Sequence, residues 1–357
     1  MNILVYLFVL VVVYMLWGLT IRLGLNKLSC TRAFSKPAVF AGETGELVEV
    51  VRNDRPFIIP WLRVESQISP HIRLGRQDNL RVSGDMYYCS LFTLMPYQQI
   101  RRRHKVLFLH RGAYDLGNAS LTAGDVLGFY RSQRTQSLHV PVLVYPQLLS
   151  DDEVEAPMSR MMGELVRRRQ LLQDPFLVRG IRPYTPGDPV RDIHWPATAR
   201  TGEVQVRVRD YTARTRLLVV LNMQNDDLQW KDNLPAHDID AVEYGISMAA
   251  TLCVRALRDG LAAGLAANMP MKDKPGESAL LLPADGAARE EEILAAFARL
   301  TVTRSQNFPA FLESLTAYSG LDILILSRYD SESIQAQMQQ LRRSGNQVSL
   351  QLYKEVG

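Results

Sequence analysis

Arg182, Asp188, Arg191, His194 and Arg200 fall within one stretch, Gly180 to Asp210. Two kinds of chemistry could use such a set. Asp188 and His194 could be drawn as the acid/base couple of a hydrolase, provided they meet the hydrogen-bond geometry that proton transfer demands. Guanidinium groups could instead grip a carboxylate or phosphate on a partner. The rest of the chain gives the first option little company: it has no G-x-S-x-G, no Walker A sequence, no G-x-G-x-x-G after a strand and no suggestive Cys/His pair. A histidine beside a tryptophan in a loop is more often packed or solvent-facing than a base. No catalytic residue is assigned.

The elements that would position these side chains can be read locally. Thr185-Pro186-Gly187-Asp188 is a turn, with proline presetting one corner and glycine accepting positive φ at the other. Asp188 before Pro189 reads as an N-cap and first helical residue. A short helix should then carry Arg191 and Trp195 on one face, interrupted by Pro196 and ended by Thr201-Gly202. Val204, Val206 and Val208 alternate with Gln205, Arg207 and Arg209, the pattern of a half-buried strand. The segment reads either as a rigid scaffold of Arg–Asp pairing and stacked rings, or as a docking site for an acidic or phosphorylated partner.

Arg182-x-Tyr184-x-x-Gly187-Asp188-x-x-Arg191-x-Ile193-x-Trp195-x-x-x-Ala199-Arg200 resembles the signature of the domain of unknown function 58 family. Upstream, Arg111-Gly112-x-Tyr114-x-Leu116-Gly117 and Asp125-x-Leu127-Gly128-Phe129 resemble the region that precedes this signature. Family members are bacterial proteins associated with MoxR-type AAA+ ATPases. The resemblance implies a membrane-attached chain with a β-rich domain, this motif and a von Willebrand factor A-like domain. It implies no known reaction.

At 357 residues, 47% hydrophobic and 22% charged, the chain can bury two cores and is not disordered. A net charge of +4 gives no ground for a nucleic-acid binder. Cys30, Cys89 and Cys253 are far apart, which argues against a disulfide framework or a zinc site and fits a reducing compartment. The six histidines show no ligand spacing.

Residues 3–21 form an apolar run without a charge before Arg22, long enough to cross roughly 30 Å of hydrocarbon as a helix. Residues 1–21 are therefore expected to be a transmembrane helix contacting the lipid bilayer. The following 22–36 carries Arg22, Lys27, Arg32 and Lys36 without an acid, which places the bulk on the cytoplasmic side of a bacterial inner membrane. Residues 37–150 show short alternating segments, expected as a β-sandwich-like domain. The basic run Arg101–Lys105 within it reads as a solvated strand or edge guard, an anionic-headgroup contact, or, least, a nucleic-acid contact. Residues 151–179 are expected as a linker with a helical piece, and 180–212 is the motif segment.

From residue 213 to 357 apolar runs such as Leu217–Leu221 and Leu321–Leu326 alternate with amphipathic helices over Asp238–Arg258, Arg289–Leu300 and Ser331–Arg343. That grammar is expected of a doubly wound α/β domain, matching the von Willebrand factor A-like half of the resemblance. Relatives of that type with a metal-ion-dependent adhesion site carry Asp-x-Ser-x-Ser after the first strand. This chain has Asn222-x-Gln224-x-Asp226 there, with an amide in place of the leading carboxylate, and Arg328 after the later core strand would repel a cation. These are degenerate metal-site positions, and no metal or cofactor is expected.

The sequence reading is thus a membrane-anchored, non-enzymatic adaptor partnered by a MoxR-type AAA+ ATPase. The motif residues Arg182, Tyr184, Gly187, Asp188, Arg191, Trp195 and Arg200 would form its interface or its brace. The alternatives are a membrane-associated hydrolase using Asp188 and His194, or a structural envelope component.

Overall fold

The computed structural model describes residues 2–22, 24–75, 80–83, 87–125, 130–150, 153, 163, 173–211, 215–227, 229, 232 and 234–353. The chain divides into two compact units, Met1–Gln147 and Leu148–Gly357.

The first unit begins with helix α1 (Asn2–Arg22) and continues as strands β1 (Leu28–Phe34), β2 (Ala38–Phe40), β3 (Thr44–Asn53), β4 (Ile59–Gln67), β5 (Ile72–Leu74) and β6 (Leu80–Ser83). Then come β7 (Tyr87–Leu94), β8 (Gln99–Phe108), β9 (Gly112–Asp115), β10 (Asn118–Gly124), β11 (Arg131–Ser137) and β12 (Pro141–Tyr145). Two antiparallel sheets, β1-β3-β8-β5 and β11-β10-β4-β7-β6, pack their inward side chains together, and β2-β12-β9 forms a small third sheet. The alternation of each strand decides what goes inside: Leu28, Cys30 and Val51 meet Leu62, Val64, Phe92 and Leu121 from the facing sheet. A second cluster joins Leu47, Val106 and Phe108 to Tyr88, Val140 and Val144.

Helix α1 does not behave as the expected membrane span. Among the described residues, no helix is long and apolar enough to cross a membrane. The geometry gives the reason. Tyr14 donates a hydrogen bond to Asp125 and its ring lies tilted against that of Tyr130, centroids 5.6 Å apart, and Gly18 lies so close to Tyr130 that a Cβ would collide. Docking of that end leaves Ile3–Val13 projecting with exposed side chains. At 1.5 Å per residue this is about 16 Å, half of a hydrocarbon core. The single-pass anchor over 1–21 and the inner-membrane localisation drawn from it are overturned.

The first strand of the second unit among the described residues is β13 (Gln173–Pro183), and of the linker with a helical piece expected over 151–179, the part from 151 to 172 apart from residues 153 and 163 lies outside the described residues. A 3-10 turn (Val190–Asp192) and helix α2 (Trp195–Thr201) separate β13 from its antiparallel partner β14 (Gln205–Tyr211). There follow β15 (Arg216–Leu221), α3 (Ala236–Arg258), β16 (Ala262–Met271), β17 (Lys274–Ala284), α4 (Arg289–Arg299), α5 (Phe308–Ser314), β18 (Asp322–Ser327), α6 (Glu332–Arg343) and β19 (Gln347–Leu352). They form a sheet of order β17-β16-β15-β18-β19. Leu218, Val220, Ile323 and Ile325 pack on Phe308, Leu312, Ile334 and Met338 from α5 and α6. Leu217, Val219 and Leu221, of opposite parity, are also buried, and α3 packs on β15 and β16.

The expected doubly wound, von Willebrand factor A-like arrangement needs correction, because this sheet is mixed. β15, β16, β18 and β19 are parallel, but β17 runs antiparallel to β16. Only Lys272 and Asp273 join the two, and a two-residue connection can make a hairpin but not a parallel crossover.

Four titratable residues meet inside the sandwich: Arg32 and His104, which the sequence shows as members of basic stretches, and Glu49 and Tyr88, which were not singled out. Arg32 of β1 donates from Nε and Nη2 to Glu49 Oε1 of β3 at 2.8 and 2.5 Å, and from Nη1 to Ser66 Oγ of the opposite sheet. Tyr88 of β7 donates to Glu49 Oε2 at 2.9 Å, and His104 of β8 lies 2.9 Å from the Tyr88 hydroxyl and 3.5 Å from Glu49. Burial alone would push the Glu49 carboxyl up. The hydrogen bond from His104, the Arg32 charge and the Arg32 and Tyr88 hydrogen bonds outweigh it and bring the carboxyl down to about 2. A folded-state value below the ordinary 4.5 stabilises the fold above the unfolded value, and that contribution disappears as pH falls from about 4.5 through about 2. By linkage it is on the order of 3 kcal/mol at neutral pH. Chemical unfolding of the full chain between pH 7 and pH 2 should show this loss, and Glu49→Gln should flatten the curve below pH 4.5 while lowering stability at pH 7.

Candidate functional site

The motif loop hangs from the β13–β14 ribbon, in which Arg182 pairs with Val206 and the Tyr184 N–H bonds to the Val204 carbonyl at 2.8 Å. Its first corner is closed by Asp188. Both Asp188 oxygens receive the Arg182 guanidinium at 2.7 Å, a fork-to-fork pair, and Oδ2 also accepts the Thr185 N–H and hydroxyl at 2.8 Å. The Asp188 N–H returns to the Thr185 carbonyl at 3.0 Å, and Gly187 takes φ +112, where a side chain would be strained. The Arg182 hydrogen bonds, followed by those of Thr185, hold the Asp188 carboxyl well below the usual carboxylate range.

Asp188 is therefore not the expected N-cap. Pro189 precedes the 3-10 turn without a side-chain cap, and the cap of the following helix is His194, whose Nδ1 accepts the Ala197 N–H at 3.0 Å. Thr198 Oγ1 donates to the His194 carbonyl and accepts the Gln205 N–H, and Gly202 ends α2 at φ +75. Asp188 and His194 share no hydrogen bond, and each is committed elsewhere, so the structure does not assemble the acid/base couple. Nor do Arg191 and Trp195 share a helical face: the 3-10 turn ends before α2 begins.

The loop fixes its backbone and leaves its larger side chains outside. Val190 is 71% exposed and Trp195 66%, with Ile181, Tyr184 and Val204 exposed nearby in the chain. Arg191 and Arg200 are exposed on the same loop. Asp192, not singled out from sequence, is buried, and Ile193 bridges to the buried Val206.

The strand-end positions Asn222 and Gln224 do come together, with Asn268 of β16 and Ser327 of β18. Asn222 Nδ2 donates to Ser327 Oγ at 3.0 Å, while its Oδ1 accepts the Gln224 N–H at 2.9 Å. Gln224 Oε1 accepts the Phe308 N–H at 2.6 Å, and Asn268 Oδ1 the Met223 N–H at 2.9 Å. The carbonyl oxygens that could face a cation are thus bound to backbone donors. Asp226 is exposed, and Asp227 receives the Tyr329 and Ser333 hydroxyls at 3.2 and 2.8 Å. Arg328 Nη1 bridges Asn225 at 2.5 Å and Asp238 at 2.9 Å, so a guanidinium stands beside this edge. Among the described residues no cluster of three or more His, Cys, Asp or Glu side chains gathers.

Residues 180–291 match the profile of the family described as protein of unknown function DUF58. The chain carries a DUF58 segment. It spans the motif loop, β15, α3, β16, β17 and the start of α4. No curated protein matches the chain. Solved structures similar to part of it include a CARDB domain from Pyrococcus furiosus in complex with di-metal ions (16% identity, 32% of this chain and 94% of that one, TM-score 0.20). A cohesin of Acetivibrio cellulolyticus bound to a dockerin is similar at 9% identity, over 32% of this chain and 99% of that one, with a TM-score of 0.23. A non-cellulosomal cohesin of Archaeoglobus fulgidus gives 9%, 35%, 94% and 0.21 respectively. At TM-scores this low, these likenesses carry no argument about the chain.

Two outcomes follow for the DUF58 segment. Asp188→Ala should speed hydrogen exchange at the Thr185 and Asp188 amides while the thermal unfolding midpoint of the chain barely moves, because the latch is local. Asn222→Asp removes the donor to Ser327 and buries a carboxylate, and should destabilise the chain by about 1–3 kcal/mol. Millimolar Mg²⁺ should not restore its melting temperature.

Proposed function

We propose that the protein is a non-enzymatic adaptor whose DUF58 loop docks a partner protein, and that this partner is a MoxR-type AAA+ ATPase. The observation that carries the docking reading is the exposure of Val190 and Trp195 on a loop whose backbone is latched by Asp188 and capped by His194. Aromatic anchors held on a preorganised backbone lose little conformational freedom on binding, and such residues dominate interface energetics. Arg191 and Arg200 beside them favour an acidic surface on the partner. The ATPase follows from the resemblance of the Arg182–Arg200 motif. A non-catalytic role is supported by the commitment of Asp188 to Arg182 and of His194 Nδ1 to the helix cap.

The test is affinity capture of the ATPase on the immobilised chain. Trp195→Ala should reduce binding by about tenfold or more, and Val190→Ala by less, with circular dichroism melting unchanged. Full recovery by folded Trp195→Ala protein would remove the loop from the interface.

A further inference from the structure

The basic run Arg101–Lys105 lies on β8, which pairs with β3 over Gln99–Leu107 and with β5 over Val106–Phe108. His104, Val106 and Phe108 point inward, which turns Arg101, Arg103 and Lys105 to solvent. Arg73 of β5, opposite Leu107, joins the same face. Glu46 shares this face, opposite Lys105 in the ladder and 3.9 Å from Arg103, with the Arg103 and Glu46 side chains largely exposed. Across from Arg101 and Arg103 stand Val50 and Val48, which give the cations an apolar floor.

We infer that this outer sheet face binds an extended acidic segment of a partner protein. The spacing decides the ligand. Side chains two apart on a strand repeat at about 6.7 Å, the same interval as carboxylates at alternate positions of an extended peptide. Glutamates at three such positions meet Arg101, Arg103 and Lys105 in register. A single-stranded nucleic acid would look for aromatic platforms, and the outward positions of β1, β3, β5 and β8 hold Ser29, Thr31, Val48, Val50 and Leu107 but no aromatic ring. This surface lies on the sandwich, separate in sequence from the DUF58 loop, and stands or falls independently of it.

The experiment titrates the full-length chain against a fluorescein-labelled peptide of alternating glutamate and threonine, read by anisotropy. Binding should occur and weaken steeply when salt rises from about 50 to about 200 mM. Arg101→Glu/Arg103→Glu/Lys105→Glu should weaken it by at least about tenfold with the melting curve retained. If that variant does not fold, the neutral Arg101→Gln/Lys105→Gln variant should still show a clear loss, while Trp195→Ala should bind the peptide normally. Undetectable binding, equal binding by the folded charge variants, or tighter binding of a charge-matched oligothymidylate would overturn the inference.

Discussion

The carboxylate of Asp188 sets the geometry on which the motif depends. It accepts from both arms of Arg182, at the end of a strand, and from the backbone and hydroxyl of Thr185, at the start of the turn. A point charge such as lysine could not fill both oxygens in one plane, so the fork requires arginine. The chain must reverse within the residues between them, and that reversal places Gly187 at positive φ. The spacing Arg182-x-Tyr184-x-x-Gly187-Asp188 is therefore the spacing of one latched corner. Each conspicuous residue in it has a mechanical task, except those whose side chains the corner leaves outside.

The second polar assembly of this unit is built on the opposite logic. At the ends of β15, β16 and β18 the groups are neutral amides and a hydroxyl, buried and mutually bonded: Asn222, Gln224, Asn268 and Ser327. Carboxylates in these places would repel one another unless a cation lay between them. Amides carry donors as well as acceptors and so close the edge without help from a ligand. Arg328 then finds its counter-charge in Asp238.

How much of this could be read from the residues depended on range. Leu217–Leu221 and the stripe through Asp238–Arg258 follow from local periodicity, and the structure has β15 and α3 there. The turn at Thr185–Asp188 was legible because proline and glycine constrain their own dihedrals. The identity of Asp188's partner was not, since both an N-cap and an Arg fork satisfy the same carboxylate. The β16–β17 hairpin was missed because Lys272-Asp273 carries neither glycine nor proline at the corner. The N-terminal helix was misread because its apolar run was taken alone: Tyr14 and Gly18 belong to contacts with Asp125 and Tyr130, more than a hundred residues away.

The buried cluster in the sandwich shows why such long-range contacts have local consequences. Arg32 and Glu49 are directly opposed across the β1–β3 ladder. A slip of one residue would turn Arg32 to solvent and leave Glu49 inside without its main counter-charge, a loss of several kcal/mol. The pair thus fixes which residues of β1 and β3 face the core, whether or not it stabilises more than an apolar pair would. His104 extends the constraint to β8, because its contact with Glu49 and Tyr88 holds even-numbered side chains inward. The row of cations at odd-numbered positions faces outward as a direct consequence. One interior carboxylate, Glu49, therefore orients a surface of opposite charge on the far side of the same sheet.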